Sequence, residues 1–143
     1  MSKLAVIYWT GTGNTGAMAQ AVAEGAAAAG AQAELFQVSE IGPEEAAKYD
    51  RLALGCSAMG AEVLEEAEFE PFFTALEGRL SGKKVVLFGS YGWGDGQWMR
   101  DWYQRTEDRG ASLCCPEGLI CNEAPGPDDL EACRALGRDL ATA

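Results

Sequence analysis

Histidine is absent from the chain. That removes the commonest metal ligand and the side chain best suited to proton transfer near neutral pH. Bases are scarce: 11 Lys and Arg stand against 22 Asp and Glu, a net charge of −11. Such a balance argues against nucleic acid and against an anionic membrane surface as partners, and leaves a basic protein as the partner that fits. No apolar run approaches the length of a membrane span, and the N-terminus enters its first apolar segment without a cleavage-site pattern. A cytoplasmic protein is therefore expected. The five cysteines include no C-x-x-C pair. Cys56, Cys114, Cys115, Cys121 and Cys133 fall mostly in apolar runs, which predicts buried, reduced thiols. Cys114 and Cys115 would face opposite ways in a strand, which argues against a metal site there. There is no repeat and no linker. The 143 residues, 48% hydrophobic, are read as one globular domain over 1–143.

What is present begins with Val6-Ile7-Tyr8-Trp9-Thr10-Gly11-Thr12-Gly13-Asn14-Thr15. An apolar run ends in glycines and hydroxyls, and a helical pattern follows with Met18, Ala21, Val22 and Gly25 on one face. A helix N-terminus offers free N–H groups and the positive end of a dipole. Thr10, Thr12, Asn14 and Thr15 add donors, while no Lys or Arg occurs from Tyr8 to Ala17. The reading is a phosphate cradle without a cation. Residues 11–16 also fit G-x-G-x-x-G, and no Lys follows to make a Walker loop. Pyrophosphate and monophosphate both remain open from this loop, although the hydroxyls lean toward a terminal phosphate.

Further on, strands are predicted at 32–38, 51–56, 84–89 and 111–121, the last interrupted by Pro116-Glu117-Gly118. Helical stretches are predicted at 44–48, 68–80, 97–109 and 127–141, with Gly30 and Gly110 as stops. Strands alternating with helices imply an α/β fold with five parallel strands in a doubly wound sheet. Its strand-to-helix loops then gather at the carboxyl edge, where ligands bind. Three of these loops carry information: 10–15, 57–62 and 90–96. Met59 is an apolar side chain in a loop, with Glu62 an acceptor three residues on. Trp93 stands between Gly92 and Gly94, free either to stack on a flat ligand or to fold back on the core. Trp98 and Trp102 read as helix packing, and Trp9 as either. Phosphate at one end and a planar ring at the other describe FMN.

Tyr8-Trp9-Thr10-Gly11-Thr12-Gly13-Asn14-Thr15, Gly55-Cys56-Ser57-Ala58-Met59-Gly60 and Gly89-Ser90-Tyr91-Gly92-Trp93-Gly94, in this order and spacing, resemble the flavodoxins, the short-chain group of anaerobic bacteria in particular. The resemblance spans the whole chain. It implies the strand order 2-1-3-4-5, of which flavodoxin is itself the standard example, with FMN at the switch point. It implies that Thr10, Thr12, Asn14, Thr15 and Ser57 bind phosphate, that Trp93 and Met59 pack on the two flavin faces, and that Glu62 accepts from the ring imide. Gly11, Gly13, Ala58, Ser90, Tyr91, Gly92 and Gly94 complete the three loops, and Asn122 is a further candidate. The Gly60–Ala61 peptide would turn on reduction.

The function implied is low-potential one-electron transfer between semiquinone and hydroquinone by a monomer that is not an enzyme. Its partners would be redox proteins with basic docking faces, such as reductases and oxidoreductases that otherwise use ferredoxin. The alternative is a small FMN-dependent quinone or nitro reductase, for which the chain has little sequence to build a hydride-donor site. An NAD-binding half-domain would need a second half. A phospho-receiver would need acids after the first and third strands, where there are none. Glu62, Glu65, Glu66, Glu68 and Glu70 are read either as part of the docking surface or as a solvated loop and helix start.

Overall fold

The computed structural model describes residues 3–60, 62–115 and 117–143. A parallel sheet is ordered β2-β1-β3-β4-β5, from β1 (Lys3–Trp9), β2 (Gln32–Gln37), β3 (Arg51–Cys56), β4 (Lys84–Tyr91) and β5 (Ser112–Leu113), and a sixth strand, β6 (Leu119–Asn122), also pairs with β4. The helices are α1 (Asn14–Ala28), α2 (Pro43–Ala46), α3 (Phe69–Glu77), α4 (Gln97–Asp108) and α5 (Pro127–Thr142).

Central strands are apolar on both faces because helices cover both. In β1, Leu4 and Val6 face one layer with Met18 and Val22 of α1 and Cys133, Leu136 and Leu140 of α5. Ala5 and Ile7 face the other, with Phe69, Phe73 and Leu76 of α3 and Trp98 and Trp102 of α4. This two-residue alternation with no polar side is what a covered parallel strand requires. The Trp102 ring stands edge-on to Phe69 and Phe73, at 5.4 and 5.8 Å between centroids. Between α1 and α5 the backbones touch. A Cβ at Gly25 would collide with the Arg134 carbonyl, and one at Gly137 with that of Val22. Among the described residues no helix is long and apolar enough to cross a membrane.

Three expectations change. Ser90 and Tyr91, read as loop, belong to β4, because β6 supplies their ladder partners Cys121 and Asn122. The fifth strand is two short strands, one on each side of the expected interruption, of which Pro116 lies outside the described residues. Cys114 and Cys115 lie in a bend beyond β5, both half-buried and both against the α1/α5 layer, so the alternation of a strand does not apply to them. Cys56, Cys121 and Cys133 are buried as expected.

Candidate functional site

At the end of β1 the chain bends through residues 10–13. The Gly13 N–H donates to Thr10 Oγ1 at 3.1 Å, and Gly13 turns into α1 with φ 95°. No side chain caps this helix, and its first turn carries no acid. Ala17 is the first amide to bond back, to the Gly13 carbonyl at 3.0 Å. The amides of Asn14, Thr15 and Gly16 therefore have no intrahelical acceptor, and the positive end of the dipole is left open.

Behind this opening lies a buried junction. Thr15 Oγ1 is 2.7 Å from Ser57 Oγ and accepts from the Ser90 N–H at 3.1 Å, which ties α1 to the ends of β3 and β4. Ser90 Oγ donates to the Glu123 carbonyl at 2.7 Å, adding the segment after β6. Four strand-to-helix segments are thus fixed to one another by hydroxyls. Glu123 adopts φ 58°, its N–H donating to the Tyr91 carbonyl at 2.7 Å.

The four segments enclose a cavity of about 510 Å³. Gly11, Thr12 and Asn14 line it from the first loop, Ser57, Ala58 and Met59 from the second, and Ser90, Tyr91 and Gly92 from the third. Trp9, Glu123 and Ala124 complete its wall. The role of Trp9 was open in the sequence. Its ring packs beside Gly11 and its indole N–H donates to Glu68 Oε1 at 3.3 Å. Glu123 and Ala124 were missed; the available signal was topological, since their segment leaves the same sheet edge as the other three. Among the described residues no Lys or Arg is in the wall.

Thr10, Gly13, Thr15, Gly60, Glu62, Trp93 and Gly94 are not in the wall. Thr10 and Thr15 shape the cradle from behind through the bonds above. Met59 and Val63 exchange backbone hydrogen bonds of 2.8 and 2.9 Å and close the neck of the loop that holds Gly60, at φ 52°. Ala61 lies outside the described residues, and with it the Gly60–Ala61 peptide expected to turn. Glu62, at φ 54°, directs Oε1 to the N–H groups of Gly96 and Gln97, at 3.1 and 3.0 Å, and so caps α4. Gly94 lies so close to that carboxylate that a Cβ would collide with it. Trp93 is 66% exposed, which excludes a ring folded back on the core, and Met59 is 40% exposed. Asn122 Nδ2 donates to the Tyr91 carbonyl at 3.2 Å, holding the third loop rather than lining the cavity.

Open amides, hydroxyls and no cation fit a phosphate monoester, while a thioether and an indole left exposed fit the two faces of a planar ring. The sequence model of the flavodoxin family matches residues 6–137. The chain belongs to the flavodoxin family. It is 48% identical over 138 residues to the flavodoxin of Megasphaera elsdenii, covering 96% of this chain and 98% of that protein. To the flavodoxin of Clostridium beijerinckii it is 46% identical, covering 95% and 97%. The solution structure of two-electron reduced Megasphaera elsdenii flavodoxin superimposes with a TM-score of 0.86 over 98% of this chain and 99% of that one. Like its family, the protein is a low-potential electron carrier with FMN as cofactor, serving redox partners, and is not an enzyme.

Of the five acids after the second loop, Glu65 is buried, Glu62 and Glu70 are half-buried, and Glu66 and Glu68 are exposed. Glu65 is buried, and its carboxylate accepts from the N–H groups of Ala67, Glu68 and Phe69 at 2.8, 2.7 and 2.9 Å, forming the start of α3. Burial pushes its pKa up, and these three amides outweigh burial to hold it below the usual carboxylate value. Glu70 is clamped by both terminal nitrogens of Arg105, at 2.9 and 2.7 Å, which lowers its pKa also. With Glu62 capping α4 and Glu68 holding Trp9, Glu66 is the one of the five that is exposed with no hydrogen bond or ion pair among the described residues.

Proposed function

We propose that the cavity between the four segments is the FMN seat. The amides of Asn14, Thr15 and Gly16, with Thr12, Asn14 and Ser57, would hold the phosphate, while Met59 and Trp93 would flank the ring. FMN supplies the one-electron chemistry when bound; the chain supplies position and electrostatics. The observation that carries this reading is the uncapped N-terminus of α1 opening on a cavity whose wall contains donors and no cation. A dianion is then stabilised by fixed dipoles and hydrogen bonds. The site's loops are fixed to the sheet through Thr15 and Ser90, which supports a pre-organised cradle.

The partners proposed are redox proteins with basic faces, such as reductases and oxidoreductases that otherwise use ferredoxin, met by a monomer in a reducing compartment. The net charge of −11 and five free thiols support this.

The test is a titration of apoprotein with FMN and with riboflavin, which lacks the phosphate. A hydrogen bond to a charged group contributes about 1.5–3 kcal/mol. Thr12→Ala should therefore weaken FMN by about tenfold or more and leave riboflavin nearly unchanged. Equal losses for the two ligands would reject the phosphate assignment.

A further inference from the structure

The two adjacent cysteines beyond β5 are absorbed by nothing described so far. The Cys114 N–H donates to the Val85 carbonyl at 3.1 Å, and the Tyr103 hydroxyl donates to the Cys115 carbonyl at 2.8 Å, so the bend is anchored to both β4 and α4. Both side chains pack on the α1/α5 layer, both are half-buried, and neither is in a disulfide. Asp139 of α5 acts on both thiols, and Cys114 acts on Cys115. Two neighbouring thiols thus share one side of the sheet, which a regular strand would forbid. Burial pushes both thiols up.

We propose that Cys114 and Cys115 form a two-thiol binding site for trivalent organoarsenicals of the form R–As=O. The site lacks a third ligand: among the described residues no group of three or more His, Cys, Asp or Glu side chains could hold a metal ion. Ions that need three or four ligands are poorly served. Arsenic bearing one carbon substituent needs only two more bonds, and soft thiol sulfur suits it. Two As–S bonds form, the As=O bond breaks, and both thiol protons leave on the oxygen as water. Arsenic stays trivalent and sulfur keeps its oxidation state, so no oxidant or reductant is required.

The test uses the FMN-loaded protein, kept reduced and free of added thiol, with phenylarsine oxide as probe and intact-mass spectrometry as readout. One phenylarsenic group per chain should add with loss of one water, while the flavin stays bound. The second sulfur acts at high effective concentration, so Cys114→Ser and Cys115→Ser should each weaken the adduct at least about a hundredfold. Cys121 and Cys133 are also near each other in the core, both buried, so Cys133→Ala, which removes that alternative pair, should leave the adduct intact. In the wild-type chain the arsenical should protect Cys114 and Cys115 together from alkylation, which tests the site without any variant. An unmodified wild-type chain, an adduct that survives in the Cys114→Ser/Cys115→Ser double variant, or one lost in Cys133→Ala would overturn the proposal.

Discussion

Glu65 shows how one carboxylate can be structural where the sequence suggests a surface charge. The chain turns from the second loop into α3 at residues 65–69, and this turn exposes three amides that Glu65 gathers. Glu65→Gln should destabilise the protein by about 1.5–3 kcal/mol in urea unfolding, the range for hydrogen bonds to a charged group. The sign with pH follows from a folded-state pKa below the unfolded one. The stabilisation is full above the unfolded value and is lost as pH falls through the folded value. Wild type and Glu65→Gln should therefore converge in stability under acid, and a constant gap would refute the role. Five acids with no base read equally as docking face or as helix start, because the pattern does not say which amides will be left open. Thr15 reads as a cradle residue from its place in the loop. That it would be buried and bonded to Ser57 and Ser90 depends on three strands meeting, which local sequence does not encode. Gly16 reads as a weak helix position, yet a Cβ there would lie 3.3 Å from both Thr10 and Tyr8 side chains, so the space is already filled.

At the scale of elements, the contact of α1 with α5 depends on the absence of two side chains. Gly25 and Gly137 face each other's helix so closely that an added methyl group has no room without backbone movement. Gly137→Ala would be favourable by helix propensity alone. Overpacking costs about 1–3 kcal/mol and occasionally more. The variant should therefore unfold at lower temperature than wild type; a raised midpoint would show that propensity wins and that the helices can separate freely. Most elements were legible from periodicity, since both sheet faces are covered and the strands form apolar runs. The boundaries that failed have one tertiary cause and one local cause. β4 runs two residues further because β6 pairs with it, and α3 ends at Glu77 because Gly78 caps it, whereas the apolar pattern continued to Leu80. Glu123 escaped notice because its part in the cavity comes from its position at the sheet edge and its φ of 58°, rather than from a recognisable motif.

For the molecule as a whole, the charge of −11 is a long-range field on top of a site that contains no base. Attraction between an acidic carrier and a basic partner is screened by salt. Electron transfer to such a partner should slow as ionic strength rises, and Glu66→Lys should flatten that dependence, as measured by stopped-flow. An unchanged slope would remove Glu66 from the docking face. The proposed seat joins an open helix dipole, hydroxyl donors and two exposed apolar side chains at one sheet edge. The most direct measurement is anaerobic, stepwise reduction of the FMN-loaded protein followed by its visible spectrum. Two separate one-electron stages are expected, with a long-wavelength band that grows in the first and disappears in the second. Passage straight to the two-electron form, or oxidation of added NADPH without a partner protein, would contradict the account.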